Sequence, residues 1–425
     1  MINRRIILLT FCILAFFTNK LDAQEVNIDS IYNAALELYN DEKYDDAILA
    51  LDTLIAIDST ISEFYNARGT IYFKIEKYDI ALKDFTTSIR LGLERPDALI
   101  NRANTYARMQ NFDRAMNDFS KAVDIDPKNI TLYYSRGIFY AEMGKHLDAI
   151  KDFNIVIAID SNNSKAYFSR AMSLYELLDF FTAIKDLDKA ISINPQFVDA
   201  YKLRGPIKQK TGNFNSAIED YTFVLKHETT NVNVFFNRAL SYQQLENLTM
   251  AVEDYSNVIK YDPSNKLAYF NRGLLYYELG NIEKAISDYD RVIALTPNDP
   301  EALNNRANIL YEAGKYERAI TDLTALISIR SKEPDLYITR GNCYFNISNF
   351  NAAISDFTTA IELNPKNIQT YYNRGRAYKN IGKLDTALSD YNKFITLAKT
   401  DESYSQYIES VNKEIESLKK VKKGR

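Results

Sequence analysis

Between Asn271 and Asp299 the chain reads NRGLLYYELGNIEKAISDYDRVIALTPND, with apolar and aromatic residues at helical spacing on both sides of Gly280-Asn281. This pattern predicts two helices joined by a tight turn. It returns along most of the chain. An Arg followed by Gly or Ala stands at Arg68, Arg102, Arg136, Arg170, Arg204, Arg238, Arg272, Arg306, Arg340 and Arg374, always 34 residues apart. Thirteen residues after each Arg comes Ala, from Ala81 to Ala387, and three residues later comes Asp, from Asp84 to Asp390. One period further back lie Ala34 and Ala47, so an atypical unit opens the series, and eleven units of 34 residues fill positions 28–401.

The breaks in the pattern carry turn chemistry. Gly144, Gly212, Gly280, Gly314 and Gly382 stand where the first helix of a unit must end in a left-handed residue. Pro127, Pro195, Pro263, Pro297 and Pro365 close second helices, while Pro96, Pro300 and Pro334 open the next unit. Pro206 alone falls inside a first helix, where it removes a donor and crowds the carbonyl of Lys202, so that helix is expected to kink or break. Its unit is irregular elsewhere, with Lys208 in place of the usual Tyr. The expectation is that this unit divides two aromatic-lined segments, one around Tyr134, Phe168 and Tyr175 and one around Phe236, Phe270 and Tyr277.

Tyr269, Arg272-Gly273, Tyr276, Ala285, Tyr289 and Pro297 occupy the places of the aromatic, Leu-Gly, Tyr, Ala, Phe and Pro pattern of the tetratricopeptide repeat (TPR). The chain resembles that family along nearly all of its length after the N-terminal segment. Two departures recur: Tyr, Phe or Leu stands where the family often has Trp, and Arg where it often has Leu. The resemblance implies an all-α fold, an α-solenoid (TPR superhelix) of helix-turn-helix repeats. Beyond the last unit, Tyr404, Tyr407, Ile408, Val411, Ile415 and Leu418 form one apolar stripe, which predicts a capping helix within 402–425, ending in a basic tail.

Charged residues embedded among core positions need partners. Arg and Asp occur together in the ten standard units and are lost together in the first, where Ala34 and Ala50 replace them. Joint loss predicts pairing within a unit, as in Arg272 with Asp288, and a neutralised structural pair rather than a ladder for anionic ligands.

Residues 1–23 read as a signal peptide: Arg4 and Arg5, an apolar run from Ile6 to Phe17, then Leu21-Asp22-Ala23 before Gln24. The run is shorter than the ~20 residues that span a bilayer, so the mature chain is expected to carry no transmembrane span and to lie in the periplasm or outside the cell. Phe11 before Cys12 argues against lipid attachment. Without residues 1–23 the chain keeps 49 basic and 55 acidic side chains, which disfavours nucleic acid as a partner. It also keeps one cysteine, Cys343, read as core filler.

Convergent chemistry is sparse. His146 takes a place held by Tyr or Phe in other units, His227 lies near the end of a second helix, and neither has ligand-spaced neighbours. There is no phosphate loop, nucleophile elbow or dinucleotide fingerprint, so no enzyme, cofactor or metal is expected. The TPR resemblance implies where partners bind: first helices line a concave groove, and the residues two, five, nine, twelve and thirteen places into each unit face it. Transferred here, that set includes Phe73, Tyr134, Phe168, Tyr175, Lys202, Phe236, Phe270, Tyr277, Tyr311, Phe345 and Tyr372. Aromatics are frequent at two of these places in the family, so part of the set serves packing. The charged members mix both signs: Lys74 with Arg108, then Glu142, Glu176, Glu278 and Glu312, then Lys202 with Lys210, and Arg376 with Lys379. Such a mixture suits protein or peptide ligands better than a polyanion. The set of Lys, Asn and Arg by which some members hold a chaperone's C-terminal carboxylate fails here, because Pro206 stands where Asn is required. The expected function is a non-enzymatic interaction scaffold. The alternative is a structural subunit of an envelope-protein complex or a self-assembling scaffold.

Overall fold

A computed structural model describes residues 27–92, 95–399 and 404–423. The expected signal segment, Cys12 and the end of the basic tail lie outside the described residues. Those described contain twenty-three α-helices and no strand, from α1 (Ile28–Asn40) to α23 (Ser405–Lys423). The first twenty-two form successive pairs of a 13-residue and a 14- or 15-residue helix, as in Lys266–Glu278 with Ile282–Leu295. The fold is an all-α helical-repeat solenoid. The chain divides into two compact units, one ending at Phe197 and the other starting at Val198.

Local chemistry explains each boundary. Between pairs, Asp262 caps a second helix and its carboxylate accepts from the Ser264 and Asn265 side chains, while Asn265 Oδ1 accepts from the Ala268 amide to start the next helix. Asp126 and Asn129 repeat this arrangement. Within pairs, the first helix closes with a left-handed residue: Gly144 has φ 71°, its amide bonds the Ala141 carbonyl and the Lys145 amide reaches back to Tyr140. Glu42, Glu76, Gln110, Leu178, Glu246 and Ser348 fill the same position without glycine, at φ 57–62°. Leu178 is the one apolar side chain among them.

The core runs between the paired helices. Ala81, Ala115 and their equivalents through Ala387 are fully buried, which lets the helices approach. Gly after Arg serves the same end. A Cβ at Gly137 would stand 2.7 Å from the Phe153 ring. Cys343 is buried, and burial pushes its thiol up to about 12. The closing helix seats Val411, Ile415 and Leu418 against Tyr371, Phe394 and Ala398 as the stripe predicts, although Tyr407 stays exposed.

Of the expected kink or break at Pro206, the break does not occur, for the helix runs uninterrupted from Val198 to Lys210. Ala200, Gly205 and Ile207 are buried on both sides of the proline, and a Cβ at Gly205 would lie 2.7 Å from the Tyr221 ring. Packing of this face holds the helix through the missing hydrogen bond, and the Thr211 amide to the Ile207 carbonyl resumes the ladder within a turn.

Candidate functional site

The Arg and Asp ladders form ten two-pronged pairs within repeats, with Nε donating to Oδ2 and Nη2 to Oδ1 at 2.5–2.9 Å. Each Asp is 1–5% exposed. Asp254 and Asp288 are raised by burial in spite of the opposing guanidinium, the mark of a carboxylate that is costly to bury and costlier to leave alone. The third guanidinium nitrogen does something the spacing did not reveal. Nη1 of Arg68, Arg102, Arg170, Arg238, Arg272, Arg306, Arg340 and Arg374 donates 16 residues back, to Asp52, Thr86, Asn154, Thr222, Ser256, Asp290, Thr324 and Thr358. These eight Arg therefore tie their own pairs to the preceding second helix. The signal was present in the sequence, since Ser, Thr, Asn or Asp stands two residues after every ladder Asp. With every ladder carboxylate taken, these arginines are structural.

The first helices of successive repeats touch one another inside each unit, and the predicted groove residues lie on them. All eleven are half-buried. Their packing takes two forms. Phe73, Tyr175, Tyr311 and Phe345 lean across the turn onto Tyr78, Phe180, Tyr316 and Phe350, with ring centres 5.3–5.8 Å apart. Tyr134, Phe236, Phe270 and Tyr372 rest on Phe153, Tyr255, Tyr289 and Tyr391 of the second helix, and Phe168 rests on Phe197. Each ring thus packs on a neighbour and stays partly exposed, and Met172 beside them is 48% exposed. Tyr277 instead donates to Glu312 at 2.6 Å, which raises its phenol. Lys202 is spent within its own repeat on Glu228 at 2.9 Å, and that bond leads the causes that lower the Glu228 carboxyl.

Charged and aromatic residues drew the sequence reading past a run of amides on the same face. Asn101 donates to Asn66 at 3.1 Å in the first unit, and Asn373 to Asn342 at 3.0 Å in the second. Two adjoining cavities open there. One, of about 290 Å³, is lined by Leu274, Tyr277, Tyr289, Asn305, Asn308, Ile309, Tyr311 and Glu312. The other, of about 220 Å³, is lined by Tyr311, Asn342, Phe345, Asn346, Asn373 and Arg376. Among the described residues no group of three or more His, Cys, Asp and Glu could hold a metal ion, and no helix is long and apolar enough to cross a membrane. His146 is half-buried, with Nδ1 unpartnered, and His227 Nδ1 lies 3.1 Å from the Phe223 carbonyl.

These helix pairs are the unit that family comparison recognises. Segments 96–129, 300–333, 334–367 and 357–389 match tetratricopeptide repeat profiles, and 244–280 and 273–314 match a further TPR repeat profile. The chain is a tetratricopeptide-repeat protein. Repeats of this family are generally non-enzymatic modules that bind protein or peptide partners, so the coarse function is that of a protein–protein interaction scaffold. No curated protein matches it in sequence. Similar solved structures include YrrB, described as a TPR protein with an unusual peptide-binding site (19% identity, 44% of this chain and 97% of that one, TM-score 0.42). A tetratricopeptide repeat protein from Parabacteroides merdae matches at 23% identity (58% and 98%, TM-score 0.38). The C-terminal part of a TPR repeat-containing protein from Cytophaga hutchinsonii matches at 18% (56% and 98%, TM-score 0.46). Similarity of this size bears on neither function nor partner.

Proposed function

We propose that the protein is a non-enzymatic scaffold that binds extended polypeptide segments along the groove of its first helices, and that it acts after export, in the periplasm or outside the cell. The observation that carries the first part is that, within each unit, the first helices present half-exposed rings beside side-chain amides on one face. Rings offer apolar contact at little entropic cost, and amides satisfy a peptide backbone whatever its sequence. The second part rests on the basic start and short apolar run of residues 4–17. A photocrosslinking residue placed at Met172 or Asn308 should form adducts with polypeptide partners in the native envelope, whereas one at the exposed Lys189 of a second helix should not. Equal adduct yields at all three positions, or adducts from Lys189 alone, would remove the groove reading. N-terminal sequencing of the native protein should begin at Gln24, and retention of Met1 would remove the export reading.

A second reading, self-assembly or an envelope complex, draws on one observation. Leu147 and Phe181, one period apart, are 66% and 70% exposed, and Leu178 is 67% exposed. Sedimentation at micromolar concentration separates the readings, since a monomer there argues against assembly.

A further inference from the structure

The two adjoining cavities of the second unit share Tyr311 as a common wall, and each holds a charge that the fold does not use. In the first cavity, Glu312 Oε2 accepts from Tyr277, and among the described residues no cation pairs with Glu312. In the second, the Arg376 guanidinium lies 4.6 Å from the Phe345 ring centre and 5.8 Å from that of Tyr372, and among the described residues no carboxylate pairs with it. Glu414 of the closing helix pairs with Lys379 instead, at 3.5 Å. This sets the two side chains apart from the ladder, where every Arg is matched. Both Glu312 and Arg376 are exposed, so neither is held in place to support the core.

The amides around Arg376 have their orientation set by a chain of bonds. Gln369 Nε2 donates to Asn373 Oδ1, and Asn373 Nδ2 donates to Asn342 Oδ1. Asn342 therefore spends its oxygen, and its Nδ2 is left to donate into the cavity beside the guanidinium. Asn346 is held by its own bond to the Asn342 carbonyl. A guanidinium lying over a ring, 4.6 Å from its centre, still has N–H groups to donate, and these together with an amide donor can meet a carboxylate. On the other side of Tyr311, the Glu312 carboxylate is fixed by the Tyr277 hydroxyl and open to a cation.

Resting on the groove reading, we infer that these paired pockets select a polypeptide segment carrying both charges: an acidic group seated on Arg376 and Asn342, and a Lys or Arg side chain seated on Glu312, with the intervening residue lying against Tyr311. The acidic group is an Asp or Glu side chain or a terminal carboxylate. Display formats with free and with blocked C-termini distinguish these sources.

The test is to pan random peptide libraries of both formats against the full chain, Arg376→Gln and Glu312→Gln. Wild type should enrich peptides with one acidic and one basic residue at constant spacing. Arg376→Gln should lose the acidic preference and keep the basic one, and Glu312→Gln should do the reverse. Each variant should weaken the best wild-type peptide roughly tenfold by fluorescence anisotropy. Enrichment confined to the free-terminus format assigns the pocket to a terminal carboxylate, and enrichment in both assigns it to a side chain. Enriched peptides without the two charges, or with preferences the variants leave untouched, overturn the inference while sparing the groove. A library that yields no peptide overturns the groove reading and the pockets with it.

Discussion

The first helix of each repeat carries two faces that behave in opposite ways. On one, the Arg that meets Asp is the same residue at the same position ten times over, with the same two-pronged geometry. On the other, the residue two places before that Arg is Asn66, Ile100, Tyr134, Phe168, Lys202, Phe236, Phe270, Asn304, Ile338 and Tyr372 in turn. The first face joins repeat to repeat, so any change is paid at two contacts and the solution is reused. The second touches neighbours only in part, and its exposed half is free to vary. A repeat protein can therefore hold its architecture constant while writing a different surface on every repeat.

The contrast can be broken most sharply at a buried pair. Asp288→Ala leaves Arg272 without its carboxylate and should cost about 3 kcal/mol. The double change of Arg272→Ala with Asp288→Ala should cost less than Asp288→Ala alone. Urea unfolding followed by circular dichroism measures both, and additive losses would place the pairs with solvated surface charges. Gly341→Ala comes next. Its Cβ would stand 2.7 Å from the Phe357 ring, and overpacking of this kind costs roughly 1–3 kcal/mol. Gly273→Ala sharpens the point, since its nearest contacts are at 3.3 Å and the gain in helix propensity opposes the crowding, so the unfolding midpoint should move far less.

Thr324→Val removes the acceptor of Arg340 Nη1 at 3.0 Å and should cost about 1 kcal/mol. Hydrogen exchange should show the loss at the join between Tyr316–Ile329 and Pro334–Asn346; exchange rates raised evenly over the chain would deny Nη1 its joining role. The smallest effect belongs to the other face. Tyr277→Phe deletes an exposed bond to Glu312 and should leave the unfolding midpoint unmoved, and a loss as large as that of Thr324→Val would show the groove to be structural as well.

Much of this was legible because periodicity repeats the same evidence. Helix pairs, left-handed glycines, cap prolines and the Arg–Asp partnership all follow from residues recurring every 34 positions, and the structure bears them out. The misses have physical causes. Pro206 reads as a breaker from its own backbone chemistry, but the buried Gly205 and Ile207 beside it outweigh one lost hydrogen bond. Lys202 reads as a groove cation, but Glu228, 26 residues away, lies close enough to claim it. The amides escaped notice because Asn is common at caps and turns, and nothing in spacing separates an Asn that caps from one that faces a cleft.

What the sequence by itself determined was everything enforced by local geometry and repetition: helix type, helix ends, the small residues between helices, and the pairing of charges that vanish together. What only the tertiary structure decided was which polar groups remain unspent. Arg376 and Lys202 are both basic residues on the same predicted face, and they differ only in whether a carboxylate from another element comes within reach. A charge is consumed by contact in space at ångström range, while spacing along a chain specifies direction and burial but not the identity of the atom that arrives from elsewhere.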